Sequence, residues 1–90
     1  MTPEVAETIA LQALGFIAAD ERALHGLQAV TGLDAGTLRN RTAETEVLAG
    51  VLEYLLTDEK RLLEFCETAD IDPQLPGRAK FVLTGEPLYD

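Results

Sequence analysis

The ten residues 47–56, VLAGVLEYLL, are the part of the sequence that says most about the fold, because only Gly50 and Glu53 among them are not apolar. A helix at the surface of a protein carries a single apolar stripe, whereas a helix that is apolar on most faces lies among other helices. At helical spacing this stretch has two adjacent stripes, the first made of Val47, Val51, Tyr54 and Leu55 and the second of Leu48, Leu52 and Leu56. It therefore predicts a central helix with the remaining helices packed around it.

The length and composition of the chain predict one folded, soluble domain. Ninety residues, 47% of them hydrophobic, are enough for one core and too few for two. We assign residues 1–85 to a single all-helical domain and residues 86–90 to a C-terminal tail. The sequence shows no secretory signal pattern and no apolar run of the roughly 20 residues that span a bilayer. We therefore expect a cytoplasmic protein without a membrane partner.

The net charge of −9 is unevenly distributed along the chain. Residues 1–41 hold five acidic side chains against Arg22, Arg39 and Arg41, a net charge of −2, whereas residues 42–90 hold eleven acidic against four basic side chains, a net charge of −7. A field of this sign repels nucleic-acid phosphates and anionic lipid, so both are disfavoured as partners. Acidity also keeps a small protein soluble, and that explanation needs no partner.

Capping residues divide the first half of the chain into three predicted helices. Thr2-Pro3-Glu4 starts the first, because a Thr side chain accepts a backbone N–H and Pro suits the first helical position. This helix runs to about Ala18, with a buried side of Val5, Ile9, Ala13, Phe16 and Ile17. The apolar side of the second helix consists of Ala23, Leu24, Leu27 and Val30. Asp20 caps the second helix and Gly32 ends it. Asp34 caps a short third helix that ends near Arg41.

The same signals recur in the second half of the chain. Thr42 opens the fourth helix, which contains residues 47–56, and Asp58 caps the fifth. The inner stripe of the fifth helix consists of Leu62, Phe65, Cys66 and Ala69. Gly85 ends a sixth helix that begins at either Pro73, after an Asp72 cap, or Pro76, because a proline at the fourth helical position removes a bonded N–H.

The two halves of the chain resemble each other when one is shifted by 38 residues. The shift aligns apolar positions of the first and fourth helices, such as Ile9 with Val47 and Leu14 with Leu52. It also aligns the caps Asp20 and Asp58 and the pairs Leu33-Asp34 and Ile71-Asp72. These correspondences predict a pseudo-repeat of two three-helix units that pack against each other, although amphipathic helix pairs also align without common origin.

Four segments carry a resemblance to a known bacterial family. They are Ala10-Leu11-Gln12-Ala13-Leu14, Thr31-Gly32-Leu33-Asp34, Asp58-Glu59 with Leu62-Leu63 and Phe65, and Ile71-Asp72-Pro73. Together they resemble the family called domain of unknown function 3572, over nearly the whole chain. The resemblance implies an all-helical fold and no particular activity, since the shared positions are apolar and capping residues. Asp70 departs from the pattern, because a glycine is expected there, as at Gly32.

The chemically reactive side chains fit structural roles better than catalytic ones. His25 lies four residues after Glu21 on a predicted helix, but a general base also needs a pocket and an orienting group. Cys66 lies on an apolar stripe, where a thiol is inert. An acidic cluster consists of Glu64, Glu67, Asp70 and Asp72. Its helical spacing does not bring the carboxylate oxygens together around a cation, as a calcium-binding loop does. We therefore predict no catalytic residue, no metal ligand and no cofactor.

Residues 24–41 have the outline of a helix-turn-helix. A helix that contains Leu27 is followed by a turn at Gly32 and by a second helix with Leu38 and basic side chains. In a helix-turn-helix, basic side chains of the second helix contact DNA in the major groove. Against DNA binding, the second helix is short, the whole chain is acidic, and the same outline recurs at residues 58–79 without a comparable basic helix. The candidate nucleic-acid residues of this alternative are Arg22, Arg39 and Arg41.

The sequence thus predicts a compact all-α bundle of five to six helices. For function we favour a small, non-enzymatic protein-interaction or structural module that engages another protein or itself. The alternative is a weak DNA-binding or regulatory protein that uses residues 24–41, and an enzyme ranks third.

Overall fold

Six helices make up the fold in the computed structural model, which describes residues 1–85. Their bounds are α1 Pro3–Ala18, α2 Glu21–Thr31, α3 Ala35–Asn40, α4 Thr45–Leu56, α5 Glu59–Ala69 and α6 Leu75–Thr84. The described residues contain no strand. The radius of gyration is 12.0 Å, close to the ~12 Å of a compact chain of this length. The prediction of a compact all-α bundle is confirmed. The predicted tail, residues 86–90, lies outside the described residues.

Four of the predicted N-terminal caps are present in the structure. The side chain of Thr2 accepts a hydrogen bond from the Val5 N–H at 3.2 Å. Three Asp carboxylates do the same for α2, α3 and α5, with shortest N–O distances of 3.0, 2.7 and 3.2 Å for Asp20, Asp34 and Asp58. Each cap satisfies an N–H group that has no partner within its helix, so these helix starts are fixed locally.

The central position of α4 is confirmed. It packs against α1, α2, α5 and α6, and seven of its twelve residues are buried: Val47, Leu48, Ala49, Val51, Leu52, Tyr54 and Leu55. Helix α1 is also central, because it contacts α2, α5 and α6 as well as α4. The short helix α3 lies at the edge of the bundle and contributes Leu38 to the core.

Two exposed valines correct the predicted buried faces. Val5 is 48% exposed and Val30 is 64% exposed, although both were assigned to apolar stripes. The buried face of α1 instead consists of Ala6, Ile9, Ala10, Ala13 and Ile17. The three alanines on this face are small enough for α4 and α6 to pack closely against the α1 backbone. Close packing therefore favours burial of the alanine face and leaves the larger Val5 side chain exposed.

The predicted start of the fourth helix is wrong, whereas the sixth helix begins one residue before Pro76, the second of its two predicted starts. Helix α4 begins at Thr45 rather than Thr42, because residues 41–43 form a turn that Arg41 holds by pairing with Glu44. Helix α6 begins at Leu75, and Asp72 caps the preceding turn by accepting the Gln74 N–H at 2.8 Å. Pro76 then occupies the first turn of α6, where its missing N–H leaves no bond unmade.

The 38-residue correspondence agrees with the bounds of α2 and α5, which both contain 11 residues and begin at Glu21 and Glu59. The last helices of the two halves differ, because α3 has six residues at the edge whereas α6 has ten and packs against both α1 and α4. The pseudo-repeat stays a prediction.

Asp70 ends α5 in the left-handed conformation, with φ 59° and ψ 50°, as Gly32 ends α2 with φ 73°. An L-residue is strained there, and its negative charge also opposes the helix dipole. We therefore expect Asp70→Gly to raise the free energy of unfolding by about 0.5–1 kcal/mol in urea denaturation. Asp70→Asn removes only the charge and should give a smaller gain. A Gly variant no more stable than the Asn variant would contradict the conformational explanation.

Candidate functional site

A groove runs along the solvent side of α4, and we call it the α4 groove. It consists of two adjoining clefts of about 350 and 370 Å³, which share Glu46, Gly50 and Glu53 as their common floor. One wall consists of Val30 and Thr31 at the C-terminal end of α2 and Leu33 just after its Gly32 cap. The C-terminal end of α6 forms the other wall with Leu83 and Thr84. The groove therefore joins three helices that are distant in sequence.

Gly50 opens the floor of the α4 groove. A Cβ atom built at this position would lie 3.7 Å from Cγ2 of Thr31, which is an ordinary van der Waals distance. The packing of the bundle therefore does not require a glycine here, although glycine in a helix interior costs about 1 kcal/mol relative to alanine. What the missing side chain provides is access to the α4 backbone between the two walls.

The lining of the α4 groove combines apolar and acidic side chains. Val30, 64% exposed, is the most exposed large apolar side chain in the described chain. Glu46 and Glu53 are both exposed. Arg41 is neutralised by Glu44, to which its Nε and Nη2 donate hydrogen bonds at 2.8 and 2.6 Å. This hydrogen bonding lowers the pKa of Glu44 and raises the pKa of Arg41. The unbalanced charge of the groove lining is therefore negative.

A second concave site lies between α1, α2 and α3, and we call it the α1–α3 cavity. It is a cleft half open to solvent with a volume of about 310 Å³, lined by Leu14, Ala18, Leu24, Ala35 and Leu38, with Arg39 and Thr42 as its polar residues. Leu38 is 2% exposed and belongs to the core, whereas Leu14 and Leu24 are half-buried beside it. The cavity shares no lining residue with the α4 groove.

The three candidate nucleic-acid residues lie in different surroundings. Arg22 is exposed in the first turn of α2. Arg39 is exposed on α3 and lines the α1–α3 cavity. Arg41 follows α3 and is paired with Glu44 beside the α4 groove. DNA contact by these residues stays a prediction, and the pairing of Arg41 reduces the charge that they offer a phosphate.

The remaining candidates are placed as surface or core residues. His25 is exposed on α2, and all four carboxylates of the acidic cluster at residues 64–72 are exposed. Within residues 1–85, no group of three or more His, Cys, Asp or Glu side chains has an arrangement that would hold a metal ion. Cys66 is 3% exposed within the core. Burial raises the pKa of its thiol, and the negative charge of Asp72 raises it further.

Because the Cys66 thiol is buried and its neutral form is favoured over the thiolate, it should react slowly with a thiol reagent at pH 7 in the folded protein. We expect labelling at least about 100-fold slower than in denaturant, corresponding to an opening free energy of about 2.7 kcal/mol or more. Stopped-flow labelling with and without urea measures both rates, with a short Cys-containing peptide as the control for the effect of urea on the reagent. Equal rates would place Cys66 at the surface.

Sequence reasoning missed the residues of the α4 groove, although a signal was present. Gly50 and Glu53 are the two positions that interrupt the apolar stretch 47–56, and Glu46 precedes Gly50 by one helical turn. The spacing of 46, 50 and 53 marks one strip of α4 that faces solvent. Val30 was missed because it fits the apolar stripe of α2 while lying beyond the part that α4 covers.

The family comparison gives a match over nearly the whole chain. A family described as "Protein of unknown function (DUF3572)" matches residues 3–86. Comparison with curated proteins and with solved structures gives no match. Among the described residues, no helix is long and apolar enough to cross a membrane. Because the match extends from the first turn of α1 to just past the end of α6, the chain belongs to the DUF3572 family of proteins of unknown function.

Proposed function

We propose that this protein is a small, non-enzymatic interaction module that binds a helical segment of another protein in the α4 groove. The observation that carries the proposal is the open floor at Gly50 between two apolar walls. An amphipathic helix that binds in such a groove inserts apolar side chains at helical spacing. Val30 and Leu83, one on each wall, would provide the apolar contacts for these anchors.

The charge of the groove specifies the chemistry of the partner. Glu46 and Glu53 lie on the floor, and the chain as a whole carries −9. Basic side chains flanking the apolar anchors of a partner helix would complement this field and accelerate association at low salt. An acidic segment would be repelled. The favoured partner is therefore a basic amphipathic helix.

The positions of the reactive groups support a binding role rather than catalysis. The thiol of Cys66 is buried and His25 lies on the exposed side of α2. Neither residue lines the α4 groove or the α1–α3 cavity. The α4 groove therefore contains carboxylates, a guanidinium group and hydroxyls, whereas the α1–α3 cavity contains one guanidinium group and one hydroxyl. Neither site has a histidine or thiol that would act as base or nucleophile at neutral pH.

Site-specific crosslinking in the native host tests this proposal. The photoreactive residue p-benzoylphenylalanine is placed at Val30 in the groove or, as a control, at Leu63, which is also exposed but lies on α5. We expect a discrete protein adduct from position 30 and none from position 63. Mass spectrometry should locate the crosslink in a basic, amphipathic segment. The adduct should disappear when Gly50→Leu fills the floor and persist in Gly50→Ala.

Identical adducts from positions 30 and 63, or no adduct from position 30, would contradict the proposal.

The DNA-binding alternative has its own signature, which is binding to duplex DNA that weakens as salt increases. A fluorescence titration at low and physiological salt measures it for the wild type and for Arg39→Ala/Arg41→Ala. We expect no binding at physiological salt, and micromolar binding that both arginines support would establish the alternative instead.

A further inference from the structure

We propose that the α1–α3 cavity is a binding site for a small amphiphilic carboxylate, with the apolar chain of the ligand inside the cavity and its carboxylate at Arg39. This site is separate from the α4 groove, and the inference is independent of the proposed function. It rests on the lining of the cavity, its size and the charge at its edge.

The lining of the cavity selects an apolar ligand body. Leu14, Leu24 and Leu38 come from three different helices and present aliphatic side chains to one space. Leu14 and Leu24 remain half-buried because nothing within residues 1–85 covers their outer sides. An apolar chain placed there would remove these side chains from water, and that is the main source of affinity in small-molecule sites.

Two exposed alanines line the cavity, and its volume limits the size of the ligand. Ala18 ends α1 and Ala35 begins α3, and both line the cavity with a single methyl group. The volume of about 310 Å³ lies at the lower end of the ~300–1,000 Å³ range of ligand pockets. A small single-chain amphiphile such as octanoate is therefore a suitable probe of this site.

Arg39 specifies the charge of the ligand head group. It is the one charged side chain that lines the cavity, and no ion pair engages it among residues 1–85. A guanidinium group binds a carboxylate through two parallel hydrogen bonds, and the hydroxyl of the lining residue Thr42 offers a further donor. A single guanidinium favours a monoanion over a polyphosphate, which needs several cations. The local charge thus opposes the overall charge of the protein.

An NMR titration of the ¹⁵N-labelled 90-residue chain tests the site with three probes of equal chain length. The two ions are kept below their micellar concentrations and 1-octanol below its solubility limit. Octanoate should produce saturable shifts at the backbone amides of Leu14, Leu24 and Leu38. 1-Octanol, which lacks the charge, should bind about 10-fold more weakly. Octylammonium should produce no saturable shifts at these amides. Because the protein carries −9, non-specific attraction predicts the opposite order of the two ions.

Three variants locate the interaction. Arg39→Gln should reduce the affinity for octanoate to that for 1-octanol, whereas Arg22→Gln, which alters an exposed arginine outside the cavity, should leave it unchanged. Ala18→Leu should abolish binding by filling the cavity, and Ala35→Leu provides the same test if the first variant does not give a folded spectrum. Absence of octanoate binding, equal binding by Arg39→Gln, or equal or tighter binding of octylammonium would overturn the proposal.

Discussion

Leu52→Ala should lower the free energy of unfolding by about 2–5 kcal/mol. Leu52 is fully buried on α4, the helix that packs against four of the other five helices. Truncation removes apolar contacts on several sides at once, and the tightly packed neighbours relax only partly into the space. Since small domains are stable by about 5–15 kcal/mol, the loss is a large share of the total.

Thermal and urea denaturation followed by circular dichroism measure this effect. Leu14→Ala is the matched control, because the 38-residue shift pairs Leu14 with Leu52 and on its own predicts an equal loss. The structure predicts a smaller loss, since Leu14 is half-buried and borders the α1–α3 cavity. A melting temperature of Leu52→Ala within a degree or two of the wild type would show that α4 is not the central helix, whatever the result for Leu14→Ala.

The second large effect is expected at Gly26, on α2. A Cβ atom built there would lie 2.9 Å from Cζ of Tyr54 and would overlap the phenolic oxygen of the same side chain. The ring has little freedom to move away, because Tyr54 is buried and the Arg61 guanidinium lies 4.7 Å from the ring centroid. We expect Gly26→Ala to lower the free energy of unfolding by about 1–3 kcal/mol, since this overpacking exceeds the gain in helix propensity.

Gly50→Ala is the matched control for this prediction. Both glycines lie within helices, but a Cβ atom at Gly50 meets only an ordinary contact, at 3.7 Å from Thr31. Alanine at position 50 should therefore stabilise the protein by about 0.5–1 kcal/mol through helix propensity alone. The two substitutions are chemically identical, so opposite signs in urea denaturation isolate the steric effect. Stabilisation by both would contradict the close approach of Tyr54 to α2.

A double variant tests the assignment to Tyr54 directly. Gly26→Ala/Tyr54→Leu removes the ring that the new methyl group would meet. Its loss of stability should therefore be smaller than the sum of the two single losses, by about 0.5–3 kcal/mol. Additive losses would mean that the methyl group at position 26 disturbs a different contact.

The boundaries and composition of the helices followed largely from the sequence. Thr2, Asp20, Asp34 and Asp58 all cap the helices assigned to them, and the stretch 47–56 forms the buried central helix. These features are predictable because a cap acts over two or three residues and apolar periodicity acts over a few helical turns. Thr42 and Asp72 failed as helix starts because short turns around Arg41 and Gln74 competed for the same chain positions.

Both concave sites depended on tertiary structure. The α4 groove requires the ends of α2 and α6 to stop on either side of Gly50, and the α1–α3 cavity requires Ala18 and Arg39 to meet from different helices. Val30 has the same helical spacing whether α4 covers it or leaves it exposed. The positions of the helices and of their apolar residues can be predicted from the amino-acid sequence, since those properties arise within one helix. Which apolar residues remain uncovered is a property of the folded chain, because it depends on where distant helices lie and end.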